Sequence, residues 1–392
     1  MGPAKMERTT VNLGRKRPRT AGPRDPSRSS AGLRIPTGIE VRLPSAAFAC
    51  ITLISIIIGA ISTIAPVRAS EQATIPTRPT FLIVIGAPGD KEFGSNFVRQ
   101  SDLWQKACSQ IDCRKVTIGL SDASKTNDLE VLRKALTDEP KAGAAELWLV
   151  LIGHGTFDGK EARFNLRGPD VSTSDLSAWL KPFHRPIVLI DTASSSAPFL
   201  NKLSATNRVI VTATRSGNEQ NFTRFGQYFA EAITSPEADL DKDGQVSVLE
   251  AFLSASGRTA EFYKLEGRLV TEHALLDDNG DGLGTPADWF RGLRAVKKPQ
   301  EKTAVDGLLA QQICIVPGRE DAALSPGQRQ KRDALERQIL LFREKKSAMP
   351  EDDYYRELEK LLLEYGRFQQ SVSNAPASQS SIASPDRLLT CR

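Results

Sequence analysis

The residues best suited to chemistry are a histidine between two glycines, Gly153-His154-Gly155, and two acidic loops that begin at Asp239 and Asp277. An imidazole changes charge near neutral pH, so His154 at the end of an apolar run is a candidate proton carrier. A turn that simply contains a histidine is the plainer account of the triplet. The first loop reads Asp239-Leu-Asp-Lys-Asp-Gly-Gln-Val-Ser-Val-Leu-Glu250. It sets oxygen donors at positions 1, 3, 5 and 9 (Asp239, Asp241, Asp243, Ser247), the Gln245 carbonyl at 7 and Glu250 at 12, with Gly244 at the sharp turn of position 6. That order suits a hard divalent cation such as Ca2+. The second loop repeats the order with Asp277, Asn279, Asp281, Gly282 and Thr285 at positions 1, 3, 5, 6 and 9. Asp288 stands at position 12, one methylene short of the usual bidentate glutamate, and Pro286 interrupts the helix expected after it.

These residues need elements to hold them. Leu147 to Ile152 is a continuous apolar run without polar alternation, as in a central strand of a parallel sheet. Its end delivers His154 to the side of an α/β sheet where ligands bind. Further strands are expected at 80–86, 115–119, 186–191 and 207–214. Helices are expected at 97–111, from Asn127-Asp128 to about Leu136, from Ser172 through Leu180, at 222–233 and at 248–263. Alternating strands and helices give an α/β fold: a mainly parallel sheet flanked by helices, with calcium loops of EF-hand type. Paired EF-hand loops commonly order each other, so coupling between the two is expected. Beyond Lys297, Ser325-Pro-Gly-Gln328 opens a helix with the stripe Leu335, Ile339 and Phe342. A second stripe, Tyr354, Leu358, Leu361 and Tyr365, ends at Gly366, so 325–370 reads as a helical hairpin. Residues 371–392, rich in Ser, Ala, Pro and Gln, read as a disordered tail.

The net charge of +5 belongs to the leader. Residues 1–45 carry ten lysines and arginines against three acids, and the chain beyond Arg68 is net negative by about three charges. Nucleic-acid binding by the folded part is therefore not expected. Residues 46–65 are uncharged and long enough to cross a bilayer. With the basic leader held in the cytoplasm, the chain beyond this segment is expected to be exported. Residues 46–69 then act as a signal peptide cleaved after Val67-Arg68-Ala69 or as an inner-membrane anchor, and the domain is periplasmic or secreted. Of five cysteines, Cys108, Cys113, Cys314 and Cys391 lie beyond that segment and have the option of pairing, with connectivity open. No Cys/His cluster has zinc spacing.

The strand ends carry a resemblance. His-Gly after one strand and Asp191-Thr-Ala-Ser-Ser-Ser-Ala197 after the next resemble the caspase and legumain clan of cysteine peptidases. In that clan the second motif is acid-Ala-Cys. Asn96-Phe-Val-Arg-Gln-Ser-Asp102 resembles a legumain stretch, Val211-Thr-Ala-Thr-Arg-Ser-Gly217 the clan's later cleft strand, and 154–158 and 164–170 resemble bacterial legumain-like proteins. The resemblance covers roughly 80–235, with a calcium-binding region over 236–296. It implies a caspase-like sheet with His154 and Gly155 in the active site and Arg99, Thr214 and Arg215 lining the substrate cleft. It also implies that Glu272 and His273 lie beside that cleft, although a satisfied structural histidine is the simpler reading of His273. His184 shows no pattern beyond a surface loop.

One position departs from the clan. The alignment sets Ala193 where the nucleophilic cysteine belongs, and a methyl group forms no thiolate. The substrate arginine is displaced as well, with Val98 in its place and Arg99 one residue on. Three readings are open: a pseudopeptidase that binds a peptide or protein partner without cutting it, a hydrolase using a Ser194, Ser195 or Ser196 hydroxyl with His154 as base, or a calcium-dependent interaction scaffold. In the second, Gly155 and nearby amides would serve as oxyanion donors.

Overall fold

The computed structural model describes residues 76–120, 127–300 and 303–374. The readings of the basic leader, of the apolar run at 46–65 with its cleavage site, of Cys50 and Cys391, and of most of the tail lie outside the described residues. Among the described residues no helix is long and apolar enough to cross a membrane.

In chain order the elements begin with β1 (Thr80–Ile85), α1 (Lys91–Cys108), β2 (Arg114–Ile118), α2 (Asp128–Asp138) and β3 (Leu147–Ile152). Then come β4 (Gly155–Phe157), β5 (Ala162–Phe164), β6 (Val171–Ser172), α3 (Thr173–Leu180) and β7 (Ile187–Asp191). They are followed by α4 (Ala197–Leu203), β8 (Arg208–Thr212), α5 (Phe225–Ala232), α6 (Val248–Leu265), β9 (Leu275–Asp277) and β10 (Thr285–Pro286). The last are β11 (Phe290–Arg291), β12 (Arg294–Ala295), α7 (Arg319–Ala323), α8 (Pro326–Arg343) and α9 (Glu351–Ser373).

Seven strands form one sheet in the order β10-β9-β8-β7-β3-β1-β2. The five from β2 to β8 are parallel, and β9 and β10 add antiparallel beyond β8. Because side chains alternate along each strand, one face receives Phe81, Ile83, Trp148 and Val150, packed with Phe97 and Trp104 of α1, Phe229 of α5 and Phe252 of α6. The other receives Leu82, Val84, Leu149 and Leu151, packed with Leu132 of α2, Leu176 of α3 and Leu200 of α4. Both faces are covered, which is why β3 is apolar at every position. The chain passes from β1 outward to β2 and then back across to β3, so the strand order reverses between β1 and β3, and the crevice outside that reversal is where His154 emerges.

At the opposite end of the sheet Arg185 is wholly buried. It donates to the Ala145 and Glu146 carbonyls, both at 2.8 Å, and pairs with Glu139 at 3.5 Å. Glu139 also takes Arg114 and the Thr80 hydroxyl. The sheet's outer strands are β2, with Arg114 and Lys115 exposed, and β10, two residues long and half proline.

Several boundaries differ from the sequence reading. Helix α1 begins at Lys91, six residues before Phe97, and α5 begins at Phe225. Helix α9 runs straight through Gly366 to Ser373, which places the first residues of the expected tail in a helix. The division at 235/236 does not divide the core: β9 and β10 extend the same sheet, and Val248, Phe252, Leu276 and Phe290 share a cluster with Phe81 and Trp148. The expected hairpin is present, with Leu335, Tyr354 and Phe368 buried along α8 and α9 and Phe342 stacked on Tyr354. Cys108, Cys113 and Cys314 are free thiols, and burial, with Cys113 beside it, pushes Cys108 up to about 12.

Candidate active-site cleft and cation loops

Strand β3 ends at Ile152, and two residues on, past Gly153, His154 turns into an aromatic cage. The Phe93 and Phe97 rings of α1 meet the imidazole edge-on at 4.9 and 5.2 Å, and Phe222 stands at 6.1 Å. Burial lowers the His154 pKa, and a hydrogen bond to the Pro88 carbonyl partly opposes it. Its surroundings thus favour the neutral imidazole. Gly155 is obligatory, because a Cβ there would lie 2.2 Å from the Ser194 carbonyl oxygen.

Strand β7 ends at Asp191, whose Oδ1 accepts from the Ala193 N–H at 3.0 Å. Its Oδ2 is buried without a partner, and burial pushes the carboxyl up to about 7. Ala193 is 1% exposed and packs into the core. The three serines after it are differently engaged. Ser194 Oγ accepts from the Gly155 N–H at 3.1 Å and donates to the Gly155 carbonyl at 3.0 Å. The Gly155 amide, a candidate oxyanion donor, is thereby taken. Ser196 Oγ bonds Thr214 Oγ1 at 3.1 Å, and Thr214, wholly buried, also receives the Ala197 N–H. Ser195 is buried at φ 54°, an uncommon region for a residue with a Cβ, and its Oγ has no partner. No hydrogen bond joins His154 to any of these hydroxyls among the described residues.

The remaining cleft residues separate into two groups. Arg99 is exposed on α1 and pairs with Glu231 at 3.2 Å. Arg215 pairs with Glu219 at 3.4 Å, and Glu219 also holds His273 Nδ1 at 2.6 Å and accepts the His273 N–H. Since the Glu219 carbonyl accepts the Ser195 N–H, this trio is tied to the serine loop. Glu272 is buried and accepts from the Arg224 and Phe225 amides at the start of α5 and from the Tyr263 hydroxyl. Burial raises its pKa. His184 is an exposed loop residue. Sequence reasoning missed the aromatic cage and a cavity of about 290 Å3 beside it. Phe93 and Phe222 line that cavity together with Arg224, Tyr263, Arg268 and Leu269. A basic and aromatic cluster after β8 was its only trace in the sequence.

In the first loop one carboxylate oxygen from each of Asp239, Asp241 and Asp243 lies within 4.8 Å of the others. Asp239 accepts from the Lys242 N–H at 2.7 Å and the Gly244 N–H at 3.1 Å. Asp241 accepts from Asp243, and Asp243 from Gln245. Glu250 is buried: Oε1 takes the Leu240 and Asp241 amides, and Oε2 takes the Ser247 amide and hydroxyl. Burial, and then Glu250 beside it, raise Asp241 to about 6. The Gln245 side-chain oxygen is engaged elsewhere, accepting from Gly318 and Cys314. Donors of this kind fit calcium, with Asp239, Asp241, Asp243 and Glu250 as its carboxylates.

The second loop leads into β10 instead of a helix. Asp277 accepts from Gly280 at 3.0 Å and Gly282 at 3.1 Å, Asn279 from Asp281, and Asp281 from Leu283. Asp288 is exposed in a 3-10 turn, Ala287–Trp289, and makes no hydrogen bond among the described residues. The Thr285 hydroxyl donates to Asp306, a residue the sequence reading passed over. A strap at 307–313 links the second loop to the start of α6. Asp278 accepts the amides of Gly307, Leu309 and Ala310, while the Ala310 and Ile313 carbonyls accept the first two amides of α6.

No protein-family model and no curated protein matches the chain. Among solved structures it is similar to the Drosophila initiator caspase Dronc, at 14% identity and TM-score 0.36 over 53% of this chain and 81% of that one. It is similar to a Geobacter sulfurreducens protein at 11% and 0.31, over 46% and 89%. A third likeness is to caspase-1 from Spodoptera frugiperda, at 8% and 0.31, over 51% and 85%. At these scores the likenesses carry no argument of their own.

Proposed function

We propose that the protein is an exported, calcium-binding pseudopeptidase: a caspase- or legumain-like domain whose cleft binds a peptide or protein partner without hydrolysing it. The observation that carries the reading is the serine loop. A buried methyl group, Ala193, stands where the resemblance requires a thiol, and none of the next three hydroxyls is bonded to His154. The neutral imidazole has no nucleophile to deprotonate. The cavity beside it offers aromatic walls with Arg224 and Arg268, which suits a peptide carrying acidic and apolar groups. Calcium at Asp239, Asp241, Asp243 and Glu250 would order the start of α6, which packs on α5 beneath the cleft. Export rests on residues 46–69.

One observation favours a rival. Ser195 holds a left-handed backbone and an unpartnered hydroxyl, as strained nucleophiles do. A fluorophosphonate probe separates the two. The expected outcome is no labelling and no peptide hydrolysis. Labelling of Ser195 that disappears in both Ser195→Ala and His154→Ala would overturn the pseudopeptidase reading in favour of a serine hydrolase.

A further inference from the structure

Helix α1 ends at Cys108 and β2 opens at Arg114, and the turn over 109–112 folds Cys113 back onto Cys108. The Gln110 N–H donates to the Ala107 carbonyl at 3.1 Å, and the Cys108 carbonyl accepts both the Ile111 N–H at 3.4 Å and the Cys113 thiol at 3.5 Å. Past the turn, the Arg114 N–H donates to the Pro79 carbonyl at 2.9 Å, where β2 begins to pair with β1. Cys108 is 3% exposed and belongs to the apolar cluster under α1, and Cys113 is half-buried and packs against the same cluster. Burial, and then the Cys113 thiol hydrogen-bonded to it, push the Cys108 thiol up. The metal-capable group among the described residues contains no cysteine, and Cys314 is held elsewhere, on the Gln245 side chain at 3.2 Å.

We propose that Cys108 and Cys113 are a redox pair that an external disulfide closes into a bond of their own, stapling the end of α1 to the start of β2. Cys113, the more exposed of the two, attacks one sulfur of the external disulfide as its thiolate; that S–S bond breaks, and one thiolate leaves and takes up a proton. Cys108 then gives up its proton and attacks the Cys113 sulfur, displacing the second thiolate, which is protonated in turn. Two protein thiols become one disulfide, and the external disulfide is reduced to two thiols. The buried Cys108 makes the second attack the slower one. In an exported chain the compartment supplies the oxidant. Strand β2 is the outermost of the sheet and pairs with β1 alone, and α1 carries the Phe93 and Phe97 rings that enclose His154. The closed bond therefore fixes the helix of the aromatic cage to the border of the sheet.

The purified full chain in detergent, first reduced and then incubated with excess oxidised glutathione, tests this by acid quenching, unfolding, alkylation with N-ethylmaleimide and tryptic mapping. With the oxidant supplied, the outcome does not depend on where the chain resides. Trypsin releases both cysteines on one peptide, Ala107–Arg114. That peptide is expected to carry no maleimide until it is reduced, and then to carry one on each cysteine. Alkylation of both cysteines before reduction, or a cross-link from this peptide to Cys314 or Cys391, would overturn the proposal. In Cys108→Ser the reaction should halt at a glutathione adduct on Cys113, and the absence of that adduct would overturn it as well. The equilibrium constant for closure against glutathione should be smaller in urea, where the turn is lost; equal constants would show that the fold does not preset the pair.

Discussion

Asp191 ends the strand that leads to the serine loop, and among the described residues no lysine or arginine pairs with it. One oxygen takes the Ala193 amide, and the other is buried and unpartnered. Burial raises the carboxyl from about 4 to about 7, so the folded state holds its proton more tightly than the unfolded chain. Its contribution to stability is fully present below about pH 4 and is lost as the pH rises through about 7. Asp191→Asn removes that dependence. Over this window the variant should gain on the wild type by up to roughly 4 kcal/mol in urea denaturation. A difference that stays flat with pH would show that the carboxyl is not held protonated. At this scale the sequence displayed residue types but not their partners. Ala193 was visible as a departure from the clan motif, and Asp239 to Glu250 as a run of spaced oxygen donors, because both are local patterns. The Asp306 contacts with the second loop were not, since that residue lies 18 residues past Asp288. Nor was the Ser194 bond to Gly155, which depends on two strand ends lying side by side.

Among the elements, the five parallel strands were legible from their apolar runs, and β3 matched to the residue. What escaped was short or lacked a period. Strands β4, β5 and β6 have two or three residues each, and α4 has seven, opened by the turn-like Ser-Ala-Pro-Phe. The early start of α1 escaped because Lys91, Glu92, Gly94 and Ser95 carry no apolar stripe. Glu139, just past α2, shows what an element's end can carry, for it neutralises the wholly buried Arg185 between β3 and β7 and also binds Arg114 of β2. Removing one partner of a buried pair leaves the other charge uncompensated. Glu139→Ala should therefore cost about 3–5 kcal/mol by chemical denaturation. Glu139→Gln, which keeps an acceptor, should cost less. An alanine variant within about 1 kcal/mol of wild type would mean that the two carbonyls on Arg185 are enough.

For the whole molecule, the sequence suggested a sheet domain followed by a calcium region, whereas the described chain merges them. The α6 helix, the strap around 306–313 and β9 share the apolar cluster under α1 and α5. Neighbour-to-neighbour patterns do not reveal that two regions share one core. Calcium should consequently stabilise the sheet and not only its loops. At a hundredfold excess over Kd one site adds about 2.7 kcal/mol, which is about 3 °C in Tm for a chain of this size. Melting in calcium against chelator should show a rise of at least that size, and Glu250→Gln should shrink it. Equal melting temperatures in the two buffers would remove calcium from the account of the fold.

The seven-stranded sheet has a further consequence through its two rims. On one side β10 offers only Thr285 and Pro286, and proline donates no hydrogen bond to an incoming strand. On the other, β2 holds Lys115 out toward solvent, where a neighbouring copy would meet like charge. Among the described residues, then, neither border of the sheet is built to accept an added strand.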